Sequence, residues 1–173
     1  TLRRYNQVCA ESGWVSLHLS PIPSWVVNAS MNFGLHLPVP DHQWLIDLFI
    51  QRILFLHTRV NLPIILENMA VLPGLDNLFE SDPETIMQIL LETDTGFLLD
   101  LGHARIAAAY RKQPVWEYLS ALPLERVREI HVSGPRKSEN GFYDAHQPLQ
   151  EEDYQLLTWC LKHTDPEVVT LEY

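Results

Sequence analysis

Gly96-Phe97-Leu98-Leu99-Asp100-Leu101-Gly102-His103 is the stretch that decides the fold. Gly96 to Leu101 is a short, near-continuous apolar run, as in a strand buried on both faces. It ends in a carboxylate, and an imidazole follows three residues later. Four other short apolar runs look like buried strands too: Trp14 to Leu19, Pro63 to Glu67, Arg128 to Ser133 and Glu167 to Glu172. Helix-period segments separate them. Asp41 to His57 places Trp44, Leu45, Leu48, Phe49, Ile53 and Leu56 on one face. Asp82-Pro83-Glu84 supplies an N-cap, a first-turn proline and an acid at the positive end of a helix that runs to about Glu92. Pro114 to Leu122 and Glu151 to His163 are the remaining two helices, and Pro21 to Pro40 reads as a long loop.

Strands alternating with helices indicate a parallel sheet. No GxGxxG and no P-loop follows any strand, which counts against a nucleotide-binding open sheet. A (β/α)8 barrel takes about 250 residues, and five of its eight strands fit the 173 residues here. The expected fold is therefore α/β: the C-terminal part of a TIM barrel, one domain over residues 1–173, holding about the last five strands. Thr1 in place of Met, and Tyr173 directly after a strand-like run, give the expectation of a piece of a longer protein.

Composition narrows the function. Hydrophobic residues are 46% of the chain and charged residues 20%, enough for a packed core and not a disordered composition. The net charge of −10 argues against gripping nucleic-acid phosphates or an anionic membrane surface. No apolar stretch reaches the roughly 18–20 residues of a transmembrane helix. Two cysteines, Cys9 and Cys160, make no disulfide framework and no CxxC, so both read as small hydrophobes in a reducing, cytoplasmic setting.

Chemistry collects at the strand ends. His18 ends the first run, Glu67 closes the second, and Asp100 ends the third with His103 after it. His131 lies in the fourth, with Asp144 and His146 in the loop beyond, and Glu172 closes the fifth. Carboxylates and imidazoles are costly to bury alone. A parallel barrel gathers the C-terminal ends of its strands around one mouth, where active sites sit. Eight nitrogen and oxygen ligands there suit a hard or borderline cation, with room for more than one. Taken singly, most of these residues have a plainer reading: a core histidine at His18, an Arg105 partner for Glu67, a strand-end turn at Asp100 and His103, a solvated turn at Asp144 and His146, an artefact of truncation at Glu172. All five strands show the pattern in one direction, which favours the metal site. His36, His42, His57 and His163 read as surface histidines. The acidic run Glu151-Glu152-Asp153 reads as a helix N-terminus, and Arg136 to Gly141 as a polar loop.

At these residues the chain resembles the multinuclear non-heme iron-dependent oxidative enzymes, the family of the methanobactin-biosynthesis enzyme. The likeness runs in order from Val15 to Tyr173. Val15-Ser16-Leu17-His18-Leu19 is similar to the family's Ser-Glu-His strand, and Leu37-Pro38-Val39-Pro40 to its Leu-Pro-x-Pro loop. Leu66-Glu67-Asn68 is similar to its Glu-Asn strand end, and Leu98-Leu99-Asp100 to its Leu-Leu-Asp motif. Glu129-Ile130-His131-Val132-Ser133-Gly134 looks like its Ile-His-Leu-Ala-Gly strand, Tyr143-Asp144-Ala145-His146 its Asp-x-His, and Thr170-Leu171-Glu172 its last-strand Glu. Family members often carry Asn where His103 stands, Glu where Leu17 stands and His where Pro135 stands.

The resemblance implies a chain that starts near the fourth barrel strand. It also implies two or three iron ions, dioxygen, and a cysteine of a ribosomally made peptide as substrate. Glu67 would bridge irons, His18, Asp100, His103, His131, Asp144, His146 and Glu172 would complete their shells, and Asn68 would lie near substrate. A separate peptide-recruiting protein is the implied partner. A second likeness is to the xylose-isomerase-like barrels, endonuclease IV included, through Asp100-x-x-His103, His131, Asp144-x-His146 and Glu172. It implies zinc or manganese and an isomerase or hydrolase. A non-catalytic partial-barrel binding module is the third reading.

Overall fold

The computed structural model describes residues 13–33, 41–72, 75, 77–139 and 141–172, with the side chains of residues 30 and 31 left aside. His36, Cys9 and the Leu37 to Pro40 motif lie outside the described residues. Among the described residues there are seven strands: β1 (Val15–His18), β2 (Ile64–Glu67), β3 (Gly96–Asp100), β4 (Val127–Val132), β5 (Gly134–Ser138), β6 (Gly141–Gln147) and β7 (Val168–Leu171). The helices are α1 (Ser24–Phe33), α2 (His42–His57), α3 (Pro83–Thr93), α4 (Leu101–Tyr110), α5 (Val115–Ala121) and α6 (Glu151–His163).

Five strands form one parallel sheet in the order β1-β2-β3-β4-β7. The order never reverses, as in a barrel wall and unlike a doubly wound sheet, whose order turns back at a switch point. Among the described residues the sheet has two edges, β1 and β7. On β7, Val168, Val169 and Leu171 are well exposed.

Strand alternation divides the sheet into two chemical faces. Ile64 and Leu66 of β2, Phe97 and Leu99 of β3, and Ile130 and Val132 of β4 pack with the helices in the main core. Ile46, Phe49, Ile50 and Ile53 of α2 cover them, with Ile86, Ile89 and Leu90 of α3, and Tyr118 and Leu119 of α5. The alternate residues of the same strands, Glu67, Asp100 and His131 among them, lie on the other face. The helix caps follow the sequence. Asp41 accepts from the Trp44 N–H at 2.9 Å, and Asp82 from the Thr85 N–H at 3.4 Å with Pro83 at the first turn.

Four expectations change. The stretch from Pro21 to Pro40 holds a helix, α1, where a loop was read. Leu101 to Tyr110 is a helix that an Ala-rich sequence hides: Ala104, Ala107 and Ala108 are buried with no wide apolar stripe to announce them. On α2 the buried face is Leu45, Ile46, Phe49, Ile50 and Ile53, while Trp44 points to solvent. The segment after β4 is an antiparallel hairpin, β5–β6, so Asp144 and His146 stand on a strand rather than in a loop. Its polar alternation, with few apolar residues facing a core, concealed it. The hairpin closes tightly at its base, where a Cβ on Gly134 would meet the Gln147 carbonyl oxygen at 2.2 Å.

Candidate metal centre

Sheet register brings the ligand residues together. His18 pairs with Glu67 across β1 and β2, Asp100 with His131 across β3 and β4. His18, Glu67 and Asp100 end their strands and His131 is the last but one of β4, all on the face away from the helices. Asp100 is also the N-cap of α4, accepting from the His103 N–H at 2.6 Å, so that helix starts by turning His103 back over the strand ends.

Glu67 sits in the middle. Its carboxylate lies 3.6 Å from His18 Nε2, 3.6 Å from His103 Nδ1 and 3.8 Å from His131 Nδ1. The hairpin closes a ring around it. His103 Nε2 is 3.4 Å from Asp144, Asp144 is 2.9 Å from His146 Nε2, His146 Nδ1 is 3.8 Å from Glu172, and Glu172 is 3.1 Å from His131 Nδ1. Every one of the eight residues singled out in the sequence belongs to this one network.

Asn68 is fully buried beside it. Its amide donates to the Asp100 carbonyl at 3.0 Å and accepts from the Asp100 N–H at 2.8 Å, which ties β2 to β3 under the site. Arg105 takes no part: it pairs with Asp153 and Glu152 at the start of α6, not with Glu67. Of the remaining histidines, His163 is exposed and stacks on Trp159, whereas His42 is half-buried and stacks on Phe79. Burial pushes the Cys160 thiol up to about 12, as expected of a small hydrophobe.

Electrostatics mark the site as short of positive charge. Burial raises the Glu67 carboxyl above the usual carboxylate range, and Asp100 adds to that, against the pull of His103, His18 and His131. Burial raises Asp100 too, with Glu172 and Asp144 adding like charge. Burial alone would lower His103, but Asp100, the Asp144 hydrogen bond, the Asn68 carbonyl and Glu67 together bring it up to about 9. The hydrogen bond from His103 lowers Asp144.

The donor set fits a metal ion. Glu67, Asp100 and His131 each offer one ligand atom, and these atoms lie within 4.8 Å of one another. Asp100 Oδ2, Asp144 Oδ1 and His131 Nδ1 are buried without a hydrogen-bond partner, which a cation would satisfy. With no thiolate in the set, the site suits borderline or hard cations bound through nitrogen and oxygen.

Sequence reading missed Glu129. It accepts from Trp14 Nε1 at 2.8 Å and from the Thr170 hydroxyl at 2.8 Å, and lies 3.2 Å from His131 Nε2. The signal was its spacing: two residues before His131 on a strand, it must share that face.

Comparison with known proteins places the chain in a family. The chain is 29% identical over 155 residues to a UPF0276 protein of Vibrio vulnificus, covering 86% of this chain and 52% of that one. It is 23% identical over 158 residues to a UPF0276 protein of Acaryochloris marina, covering 91% of this chain and 57% of that protein. A UPF0276 protein of Vibrio parahaemolyticus is 26% identical over 165 residues, with coverages of 92% and 56%. The chain thus spans about half the length of these curated relatives. The family model described as RiPP precursor modification enzyme MbnB/TglH/ChrH matches residues 1–173, and the chain belongs to that family.

Proposed function

We propose that the protein carrying this chain is a metal-dependent oxidative enzyme that uses dioxygen to modify cysteine residues of a ribosomally made peptide. Two or three iron ions are the cofactor of this reading, and a separate peptide-recruiting protein its partner. The observation that carries it is Glu67, one buried carboxylate within 4 Å of three imidazoles on three different elements. A carboxylate in that position suits bridging two cations, and membership of a peptide-modifying family supplies the substrate class.

Iron bound there would supply a Lewis acid that lowers the pKa of a substrate thiol and a redox partner for dioxygen. The chain's own residues divide the remaining work. Glu67, Asp100 and His131, fixed by sheet register, hold the buried side. Asp144, kept ionised by His103, offers an acceptor from the hairpin. His18 and His146 stand at the open side, where a peptide thiol would arrive. The eight-stranded barrel belongs to the same proposal, with the described sheet as part of its wall and the ligands at its mouth. Among the described residues no helix is long and apolar enough to cross a membrane. That fits a peptide-processing enzyme of the cytoplasm, and the net charge of −10 fits one that binds no nucleic acid.

The test is metal analysis of the full-length protein purified without oxygen, followed by thiol addition. Two or more irons per chain, an iron–sulfur charge-transfer band, and oxygen uptake with a cysteine-containing peptide are expected. Zinc or manganese at full occupancy, with no such band and no oxygen uptake after iron loading, would overturn the reading.

A further inference from the structure

Below the layer of candidate ligands the inner face of the sheet carries a second layer, two residues back along each strand. On β2 and β3 this layer is apolar, Ile65 and Leu98, both buried. On β4 and β7 it is Glu129 and Thr170. A carboxylate in that position needs a reason, because burying one costs several kcal/mol unless it is hydrogen-bonded. Glu129 has three partners and no free role. Oε2 accepts from the Trp14 indole N–H at 2.8 Å, and Oε1 accepts from the Thr170 hydroxyl at 2.8 Å. Trp14 and Thr170 are 115 and 41 residues from it in the chain, so three separate segments of the sheet converge on one carboxylate. Its third contact is Oε1 to His131 Nε2 at 3.2 Å.

His131 has two ring nitrogens with different surroundings. Nε2 faces Glu129. Nδ1 faces Glu172 at 3.1 Å and Glu67 at 3.8 Å and is buried without a hydrogen-bond partner. A carboxylate that already accepts two donors can take only an N–H from the imidazole. That puts the proton on Nε2 and leaves the Nδ1 lone pair aimed at the ligand cluster.

We propose that Glu129 is a positioning residue, held by Trp14 and Thr170, that fixes the proton of His131 on Nε2 and presents Nδ1 as the metal-binding nitrogen. The proposal rests on the metal reading above. Glu129 is not one of the candidate ligands: it lies one layer beneath them, and Trp14, Thr170 and His131 occupy three of its roughly four acceptor sites. Such outer carboxylates orient a histidine ligand and raise its basicity, and their loss costs about 10–100-fold in metal affinity.

The geometry also says which substitutions are informative. In Glu129→Gln one oxygen becomes an NH2 group. With the amide oxygen toward His131 and Thr170, that NH2 meets the Trp14 N–H donor to donor; flipped, it meets the His131 N–H instead. Either way one contact is repulsive. Trp14→Phe removes the indole N–H and with it the conflict, so the double variant can place its amide oxygen on His131.

The experiment uses the full-length protein, stripped of metal and titrated with Zn2+, with 15N-labelled histidine for NMR. In the wild type, His131 is expected to show Nδ1 on the metal and a proton on Nε2. Glu129→Gln should weaken Zn2+ binding by about 10–100-fold. Trp14→Phe alone, which leaves the Thr170 and His131 contacts on Oε1, should weaken binding by no more than about threefold, and the double variant should recover to that level. A merely structural Glu129 would give a double variant no better than the single. That result, or Glu129→Gln binding as tightly as wild type, or Nε2 on the metal, overturns the proposal. Should Glu129→Gln not fold, the wild-type spectrum and the double variant still decide it. His131→Ala separates the two levels: unchanged Zn2+ binding there would remove the metal reading itself, whereas weakened binding there with normal Glu129 variants would remove only this proposal.

Discussion

The side chains of Glu67, Asp100 and His131 are 11%, 0% and 13% exposed, whereas those of His18 and His146 are 61% and 42% exposed, yet all five belong to one ring of contacts. The buried three hang from adjacent middle strands of a five-stranded sheet. Their spacing is set by backbone register, so moving one means slipping a strand and turning its whole hydrophobic set away from the core. The exposed ones hang from an edge strand and a two-stranded hairpin. A lone hairpin is marginally stable in water, so β5–β6 depends on what it packs against. The comparison teaches that the site has a fixed half and a supported half, and that the supports of the second half are where it can be broken selectively.

Arg105 is the largest of those supports. It lies buried on α4, pairs with Asp153 and Glu152 at the start of α6, and holds its guanidinium over the Phe142 ring of β6 at 5.7 Å. Asp153 is itself buried and also caps α6 by accepting from the Gln150 N–H at 2.7 Å. Arg105→Met leaves that carboxylate buried without its cation. The expected loss is about 3–5 kcal/mol in urea unfolding of the full-length protein. A loss under about 1 kcal/mol would mean that the pair acts like an exposed one.

Ligand removal should separate the two halves next. His131→Ala takes a ligand from the fixed half, with nothing mobile to replace it. Zn2+ affinity should fall by more than the roughly 10–100-fold that an outer partner is worth. His146→Ala takes one from the hairpin, where water can fill the position, and about a tenfold loss is expected, near 1.4 kcal/mol. Equal losses in parallel titrations would erase the distinction between the halves.

Glu80 supports the β1 side. It is buried, and it accepts from the Ile22 N–H at 2.8 Å and from the Ser20 hydroxyl at 3.3 Å, pinning the loop that follows His18. Burial pushes its carboxyl up to about 7 against those hydrogen bonds. A folded pKa above the unfolded value means full stability at low pH and loss as pH rises from about 4.5 through about 7. Glu80→Gln keeps an acceptor for Ile22 and removes the charge. Between pH 5 and pH 8 the variant should gain on the wild type by on the order of 2 kcal/mol in urea midpoints compared pairwise. Parallel curves would show that Glu80 does not titrate in that window.

The strands and the side chains clustered at their ends were legible because each announces itself locally. An apolar run ending in Asp100 or Glu67 breaks its own pattern, and a broken pattern at five strand ends is hard to produce by chance. What stayed hidden depends on contacts far apart in the chain. Helix α4 has alanine where a stripe of large residues would have revealed it. The hairpin is largely polar, so it lacks the apolar alternation that betrays a half-buried strand. Arg105 finds Asp153 across 48 residues rather than Glu67, and no local signal chooses between two acidic partners. Glu129 was readable by parity with His131, but its meaning required Trp14 and Thr170 to be beside it. Trp44 was misassigned because Ile46 and Ile50 complete an equally good face on α2.

Left-handed backbone gives the smallest and cleanest contrast between scaffold and site. Among the described residues three that are not glycine have positive φ: Asp94 at 49°, Lys112 at 57° and His146 at 45°. Asp94 and Lys112 lie just past the ends of α3 and α4, where glycine is the usual residue because it has no Cβ to clash. The conformation costs other residues about 1–2 kcal/mol. Asp94→Gly and Lys112→Gly should therefore each stabilise the protein by up to about 1 kcal/mol, with Zn2+ affinity unchanged. His146→Gly relaxes the same strain in the hairpin, but it removes a side chain 2.9 Å from Asp144 and 3.8 Å from Glu172. It should gain similar stability and lose the metal affinity that His146→Ala loses. Strain at a helix end is a leftover that substitution can remove at no cost, whereas on the metal reading proposed above strain at His146 serves to aim its ring at Asp144 and Glu172. Measuring melting temperature and Zn2+ affinity together distinguishes the two: if His146→Gly kept its affinity, the left-handed turn would belong to the scaffold after all.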